Sequence, residues 1–220
     1  WIIMEDKMNY YLTKMAGEIG VDFLPAVLKE FNIKVELEGL ENLPEHSRCF
    51  FFANHPFGVI DGLVLTNTVA GKYGTLKAIG NEAFMFLPNL RPLIAAVNVF
   101  KPNSKEYISA LEQVFDSEIP ITHFPSGEVS RFYNGKIQDC AWQKSFIYKS
   151  GSKKRDIVPF YFYGRNSILF YVIGIIRKLL RIKINIELML LPREMFNKRN
   201  KTIRVKIGKP IPYSTFDSRY

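Results

Sequence analysis

One histidine and one aspartate lie close enough in the sequence to form a general base. His55 and Asp61 flank the turn Pro56-Phe57-Gly58-Val59-Ile60. A carboxylate that accepts a hydrogen bond from one imidazole nitrogen fixes the tautomer and leaves the other nitrogen free to take a proton from a hydroxyl. His55 could also be a solvated loop histidine that precedes a proline. The spacing by itself does not decide between this interpretation and a general-base pair.

A second polar turn, Phe124-Pro125-Ser126-Gly127-Glu128-Val129-Ser130-Arg131, follows an apolar strand-like segment. Open α/β sheets usually bind ligands beyond their strand ends, so this turn is a candidate substrate site. An arginine there can hold a phosphate or a carboxylate with two parallel N–H donors. The alternative is a surface turn closed by an ion pair between Glu128 and Arg131.

The segments around these motifs alternate between helical and strand-like patterns. Apolar residues recur at helical spacing over 8–31 with a break near Gly20, which predicts two short N-terminal helices. Asp61 is expected near the start of a helix over 61–71, where a carboxylate suits the helix dipole. One further helix is predicted over 104–115. The predicted strands are 33–37, 48–53, 75–79, 95–100, 119–124, 157–163, 183–191 and 203–207.

Strands that alternate with helices predict an α/β fold with a central, mostly parallel or mixed sheet flanked by helices. No internal repeat or linker is visible, so a single domain is expected. We place an N-terminal helical segment at 1–34, packed on a core domain at 35–220. Cys49 and Cys140 are too few and too far apart for a disulfide framework or a zinc site, so no metal is expected and a reducing compartment is indicated.

The net charge of +9 is concentrated in one segment, because residues 165–209 contain twelve Lys or Arg and only two acids. The longest apolar run, 168–176, is too short to span a bilayer and is followed by Arg177, Lys178 and Arg181. This combination predicts an interfacial segment on an anionic membrane. A solvated face, nucleic acid or a carrier protein would also suit the charge, but no recognised nucleic-acid motif accompanies it.

The order of the motif blocks resembles that of the glycerolipid acyltransferase superfamily, which includes lysophosphatidate acyltransferases. The blocks are 54–58 with Asp61, then 97–101, 124–131 and 157–160. The Gly127-Glu128-Val129-Ser130-Arg131 form, with Gly164-Arg165-Asn166-Ser167 and 201–211 downstream, is more similar to the bacterial hemolysin-like branch. That branch includes acyltransferases that complete ornithine- and glycine-containing lipids. The resemblance spans about residues 35–212.

The resemblance implies an O-acyltransferase that uses a His-Asp pair. His55 would deprotonate the hydroxyl of a lysolipid, and that hydroxyl would attack the thioester of acyl carrier protein (ACP) or coenzyme A (CoA), with no bound cofactor and no covalent acyl-enzyme. The acceptor would be a lyso-ornithine or lyso-glycine lipid, or lysophosphatidate. Backbone N–H groups near Gly58 or Gly127 are candidates for stabilising the oxyanion. The implied substrate-binding residues are Asn54, Gly58, Lys101, Ser126, Gly127, Glu128 and Arg131.

The chain departs from the superfamily pattern at three points. It has His-x5-Asp instead of His-x4-Asp, Ser126 instead of a glutamate, and Lys101 where an acceptor-binding arginine is common. These departures preserve the general-base pair but weaken any inference of a phosphate acceptor. The implied location is the cytoplasmic face of the membrane, with peripheral attachment through Arg177, Lys178 and Arg181. The rival classes are a non-catalytic membrane-binding or lipid-carrying protein of the same fold and a nucleic-acid-binding domain.

Overall fold

The computed structural model describes residues 3–97 and 105–216 and has a seven-stranded sheet at its centre. The order across the sheet is β1-β9-β8-β2-β5-β3-β4, and β6 and β7 form a separate hairpin. Strands β8, β2, β5, β3 and β4 are parallel, β9 is antiparallel to β8, and β1 is parallel to β9. The predicted mixed, mostly parallel sheet is confirmed. The strands are β1 (Lys34–Glu38), β2 (Cys49–Ala53), β3 (Lys77–Asn81), β4 (Ile94–Val97), β5 (Ile121–His123), β6 (Arg131–Tyr133), β7 (Lys136–Gln138), β8 (Asp156–Phe162) and β9 (Thr202–Ile207).

Helices cover both faces of this sheet. The two predicted N-terminal helices are present as α1 and α2, and α2 buries Phe23, Leu24, Val27 and Leu28 in the main core. The division of the chain at residue 34 stays a prediction. Within the described residues, no helix is both long enough and apolar enough to cross a bilayer. The helices are α1 (Glu5–Lys14), α2 (Phe23–Glu30), α3 (Ile60–Tyr73), α4 (Lys105–Asp116), α5 (Ser145–Lys153), α6 (Ile168–Leu179) and α7 (Leu191–Phe196).

The strand that leads to the histidine motif, β2, is buried on both faces. Phe51 belongs to the core on the α2 and α3 side of the sheet, whereas Phe50 and Phe52 belong to a second core with Phe115 of α4 and Phe146 of α5. Such a continuous apolar run is typical of a central parallel strand. Burial of each phenylalanine contributes about 2–3 kcal/mol. Both cores therefore hold the strand end from which His55 emerges.

The strand predicted at 183–191 is wrong. A 3-10 helix (Ile186–Leu190) occupies most of it, and α7 starts directly afterwards. In an amphipathic strand Glu187 would lie on the solvent face, but here it is fully buried. Its carboxylate lies within ion-pair distance of Arg131 and Arg177, and these two partners come from other segments of the chain.

The β6–β7 hairpin is absent from the elements that we predicted. Its turn consists of Asn134 and Gly135, which have φ angles of 49° and 80°. An Asn-Gly pair with both residues in the left-handed region is a favoured two-residue hairpin turn. The Asn134-Gly135 dipeptide is therefore a sequence signal for this hairpin. The predicted strand 95–100 is present only as β4, and its residues 98–100 lie outside the described part of the chain.

A buried arginine completes the end of α4. Arg155 has no exposed surface, and its Nε donates to the carbonyl of Phe115 at 2.9 Å. Its Nη atoms donate to the carbonyls of Ile119 at 2.9 Å, Val114 at 3.2 Å and Ser117. Carbonyls at a helix C-terminus lack hydrogen-bond donors within the helix, and the Arg155 side chain supplies these donors. Burial lowers the pKa of Arg155 to about 10, which leaves it charged at neutral pH.

Candidate active site

His55 and Asp61 form a hydrogen-bonded pair at the carboxyl end of β2. Nδ1 of His55 lies 3.0 Å from Oδ2 of Asp61. The aspartate side chain is fully buried, whereas the histidine side chain is 15% exposed. Because the carboxylate accepts at Nδ1, Nε2 is the nitrogen that is left to accept a proton.

The carboxylate of Asp61 is fixed by N–H groups of the turn before α3 and of its first turn. Oδ2 accepts the N–H of Phe57 at 2.8 Å and that of Gly58 at 3.2 Å, and Oδ1 accepts the N–H of Gly62 at 2.9 Å. These charge-assisted bonds compensate for removing the carboxylate from water. The helix dipole also favours a negative charge at this end of α3. The predicted position of Asp61 near the helix start is confirmed.

The structure brings the two sequence motifs into contact. The imidazole of His55 stacks on the ring of Phe124, with a centroid distance of 3.9 Å and an interplanar angle of 22°. The carbonyl of His55 accepts the N–H of Ser130 at 2.8 Å. The turn after β5 therefore forms one wall of the histidine site, as its place beyond a strand end predicts.

Asp139 is a site residue that the sequence analysis missed. Its two carboxylate oxygens lie 3.2 and 3.3 Å from the main-chain N of His55. The carboxylate also accepts the hydroxyl of Ser130 at 2.5 Å and Nε1 of Trp142 at 3.0 Å. No local pattern marks this residue, because its bond to His55 joins positions 84 apart in the chain.

Asn54 has a structural role instead of the predicted substrate contact. Its Nδ2 donates to the carbonyl of Phe162 at 3.0 Å, and its Oδ1 accepts the N–H of the same residue at 2.7 Å. Both polar atoms of the amide are thus engaged with the end of β8. Asn54 therefore fixes the main chain just before His55.

The two candidate oxyanion donors are already used inside the protein. The N–H of Gly58 donates to Asp61, and that of Gly127 donates to the carbonyl of Phe124 at 2.9 Å. Both glycines have positive φ, 90° and 66°, which these tight turns require. The predicted stabilisation of an oxyanion by backbone N–H groups around Gly58 or Gly127 stays a prediction, and these two N–H groups have other acceptors. Both glycines nevertheless border the cavities beside His55.

The rest of the second turn is held together by internal contacts. The hydroxyl of Ser126 donates to the carbonyl of Glu128 at 2.7 Å, and the side chain of Ser126 is buried. Glu128 is exposed, and it is not the ion-pair partner of Arg131. The predicted closure of the turn by a Glu128–Arg131 pair is wrong.

Arg131 instead joins a buried ion-pair triad, which we define as Arg131, Glu187 and Arg177. Nε of Arg131 donates to Oε1 of Glu187 at 3.0 Å, and its Nη1 donates to the carbonyl of Val129 at 2.6 Å. Arg131 borders the larger cavity but is only 3% exposed. Its charge is therefore compensated by Glu187, and this geometry argues against Arg131 as the anchor for a substrate anion.

Arg177 completes the triad from α6, with its Nε 2.9 Å from Oε2 of Glu187. Its side chain is only 12% exposed, so its predicted place on a membrane surface with Lys178 and Arg181 is corrected. Lys178 is exposed with its Nζ 4.0 Å from the ring centroid of Tyr133, and Arg181 is exposed too. Lys101, predicted to bind the acceptor, lies outside the described residues.

Two cavities meet at His55, one on each face of the sheet. The smaller, about 260 Å³, lies on the α3 side and is lined mainly by apolar residues that include Leu63, Phe84 and Leu93. The larger, about 1050 Å³, lies on the α4 and α5 side and is bordered by aromatic and polar groups. Its lining includes Phe52, Phe115, Phe146, Gln143 and Lys149.

His123 also lines both cavities. Burial, with a smaller contribution from the nearby charge of His55, lowers the pKa of His123 to about 4. This imidazole is therefore neutral at pH 7. Across residues 3–97 and 105–216, no three His, Cys, Asp or Glu side chains are grouped as a metal ion would need.

Comparisons with known proteins identify the family. A profile described as Acyltransferase (Acyltransf_2) matches residues 1–218. The lyso-glycine lipid O-acyltransferases of Phocaeicola vulgatus and Bacteroides thetaiotaomicron are each 41% identical over 217 residues, which is 98% of this chain and 78% and 80% of those proteins. The fold resembles the crystal structure of the 1-acyl-sn-glycerophosphate acyltransferase PlsC from Thermotoga maritima, with a TM-score of 0.57 and 18% identity over 98% of this chain and 74% of that chain. The chain therefore belongs to the acyltransferase family that this profile describes, and it is an acyltransferase.

Proposed function

We propose that this acyltransferase moves a fatty acyl group from an ACP or CoA thioester to the hydroxyl of a lysolipid, with His55 as the general base. The observation that carries the proposal is the placement of the His55–Asp61 pair where two cavities meet. Transfer of an acyl chain from a thioester to a lysolipid brings two apolar chains to one base. The two cavities, which share His55 and His123 in their linings, offer room for both chains.

The chemistry follows from the free nitrogen of His55. Nε2 takes the proton of the acceptor hydroxyl while its oxygen forms a bond to the thioester carbonyl carbon. The C–S bond then breaks, and the imidazolium returns the proton to the departing thiolate. Asp61 stabilises the imidazolium formed between these steps and keeps Nδ1 protonated. The products are an ester and a free thiol.

Each cavity suits one of the substrates. The smaller cavity is lined mainly by hydrocarbon, which suits the acyl chain of the thioester. The larger cavity combines a floor of phenyl rings with polar groups at its border, which suits a lysolipid with its own chain and headgroup. The ester bond then forms at His55, where the two meet.

We favour a lyso-glycine lipid as the acceptor over lysophosphatidate. The relatives that are 41% identical carry the name lyso-glycine lipid O-acyltransferase. In addition, Arg131, which the sequence suggested as a phosphate anchor, is already paired with Glu187. A carboxylate headgroup carries less charge than a phosphate and needs less cationic compensation.

We also place the enzyme peripherally on the cytoplasmic face of an anionic membrane, bound through the outer face of α6. This face is defined by Ile168, Val172, Ile175, Ile176 and Leu179, which are 41–78% exposed and recur at helical spacing. Lys178 and Arg181 lie beside it, where they would contact anionic headgroups. Both acids of the basic segment, Glu187 and Glu194, are buried, so the surface there keeps its positive charge.

The inner face of α6 connects this surface to the active site. Phe170 and Tyr171 pack with Val129 of the turn after β5. A membrane at the outer face of α6 would thus lie one helix away from the larger cavity. A lysolipid would have a short path from the bilayer to His55.

The proposal is tested with purified protein, vesicles that contain either lysolipid, and acyl-ACP or acyl-CoA as donor, with products measured by mass spectrometry. We expect acylation of the lyso-glycine lipid that is abolished in His55→Ala. His46→Ala is the matched control, because His46 lies before β2 beside Cys49 and Asp156, at the opposite strand end. Near-normal transfer by folded His55→Ala would refute the general-base role, and lipid binding without any transfer by the wild type would indicate a lipid carrier.

A further inference from the structure

The main chain of His55 lies outside regular secondary structure, so its polar groups need partners other than a strand neighbour. Asn54 on one side is fastened to β8, and Pro56 on the other side has no N–H. The carbonyl of His55 accepts from Ser130, and its N–H is directed at the carboxylate of Asp139. Asp139 is therefore the acceptor for the N–H of the residue that carries the base.

Asp139 gathers donors from three separate segments at this point. They are the N–H of His55 after β2, the hydroxyl of Ser130 after β5, and the indole N–H of Trp142 after β7. Hydrogen bonds to an ionised acceptor are roughly twice as strong as neutral ones. One carboxylate thus joins the histidine turn to the wall formed by the neighbouring turn.

We infer that Asp139 is a positioning residue for the acyl transfer, one that holds the backbone of His55 while Asp61 holds its ring. The two carboxylates act on different ends of one residue, so together they fix both the place of its Cα and the direction of Nε2. A displacement of about 1 Å between reacting groups can cost on the order of 100-fold in rate. This inference rests on the proposed role of His55 as the base.

The test is steady-state kinetics of Asp139→Asn with the acceptor and the donor varied separately. Asparagine has nearly the same shape but presents an NH₂ group where Asp139 only accepts, and it removes the charge. We expect kcat to fall about 10–100-fold, while both KM values stay within about threefold. A positioning role predicts this pattern, whereas lost substrate binding would raise KM.

Trp142→Phe is the matched control, because it removes one donor from Asp139 without touching the bond to His55. We expect its kcat to stay within about threefold of the wild type. An Asp61→Asn, Asp139→Asn double variant should lose less activity than the product of the two single losses, since both residues act through His55. If Asp139→Asn does not fold, Asp139→Glu, which keeps the charge but displaces the backbone, replaces it in both comparisons.

An unchanged kcat in the folded Asp139 variant, an equal loss in Trp142→Phe, or fully multiplicative losses in the double variant would each overturn the inference. These results leave the proposed function in place as long as His55→Ala is inactive. Conversely, an active His55→Ala enzyme would refute the base itself, whatever Asp139→Asn does. The two failures are therefore distinguishable.

Discussion

Two fully buried carboxylates, Asp61 and Glu187, each hold basic partners, but only Asp61 holds an imidazole that lines both cavities. The partner of Asp61 is His55, whose Nε2 is not used by this pair. The partners of Glu187 are Arg131 and Arg177, whose guanidinium groups stay charged. Burial and ion pairing look alike at the two places. What distinguishes the proposed catalytic pair from the structural triad is an imidazole with a free nitrogen beside the cavities.

The largest expected effect comes from removing the negative charge of Asp61, the carboxylate of the proposed general-base pair. Asp61→Asn should lower kcat on the order of 1,000-fold or more, because the tautomer of His55 is no longer fixed and the imidazolium loses its counter-charge. Glu187→Gln is the matched change in the triad and should leave kcat within about threefold in the folded enzyme. Acyl-transfer kinetics at a temperature where both variants are folded check this contrast, and comparable activity losses would erase the distinction.

The main effect of Glu187→Gln should appear when stability is measured. Breaking a buried ion pair by removing one charge costs about 3–5 kcal/mol, so Glu187→Gln should lower the free energy of unfolding by an amount in this range. Denaturant unfolding with a constant m-value is the measurement. An unchanged midpoint would mean that the triad contributes nothing to the fold.

Arg131→Lys tests the residue that the sequence analysis assigned to substrate binding and that the structure pairs with Glu187. The variant keeps the charge but loses the planar fork that reaches Glu187 and Val129, so we expect a loss of about 1–3 kcal/mol in stability. The acceptor KM should stay within about twofold. A tenfold rise in acceptor KM with an unchanged melting curve would restore Arg131 as a substrate anchor.

A substitution on the outer face of α6 should weaken membrane attachment without changing the His55–Asp61 pair or the triad. Leu179→Glu should weaken binding to anionic vesicles about tenfold or more, because burying one leucine contributes about 1.5–3 kcal/mol. Ile108→Glu, on an exposed position of α4, is the control and should bind like the wild type. Vesicle sedimentation at low and high salt measures both, and equal binding to neutral and anionic vesicles would contradict the charge contribution.

A pH dependence of stability is also expected from His123, which lines both cavities beside His55. The pKa of His123 is lowered to about 4 in the folded protein, so the unfolded chain binds this proton more readily. Stability should therefore fall as the pH drops from about 6.5 to 4, by on the order of 2–3 kcal/mol, and level off below that. His123→Gln should lack this part of the slope in unfolding curves measured across the window. If His123→Gln has the same slope of stability against pH as the wild type, other titrating groups cause that slope.

The sequence predicted the parts of the site whose signals are local. The strand before His55, the turn after it and the helix that starts near Asp61 can be read from adjacent residues, and the structure has all of them. The Asn134-Gly135 hairpin has an equally local turn signal, although it was not among the predicted elements. These elements depend on neighbours a few positions away, which one sequence contains.

The misses share a different cause, because they depend on partners that are distant in the chain. Glu187 is 56 positions from Arg131, and it lies in the 3-10 helix that occupies most of the predicted strand. Asp139 reaches the backbone of His55 across 84 positions. No spacing rule connects such residues, so the roles of Arg131 and Asp139 needed the three-dimensional structure.

The cap on α4 bears on the order in which this chain can fold during synthesis. The carbonyls of Phe115 and Ile119 accept hydrogen bonds from Arg155, which is synthesised at least 36 residues after them. At ribosomal rates of about 5–20 residues per second, Arg155 is added roughly 2–8 s after the end of this helix. β5 and β8 flank β2 in the sheet, and Arg155 immediately precedes β8. The nascent chain can therefore close the sheet around the histidine strand only after this arginine has emerged.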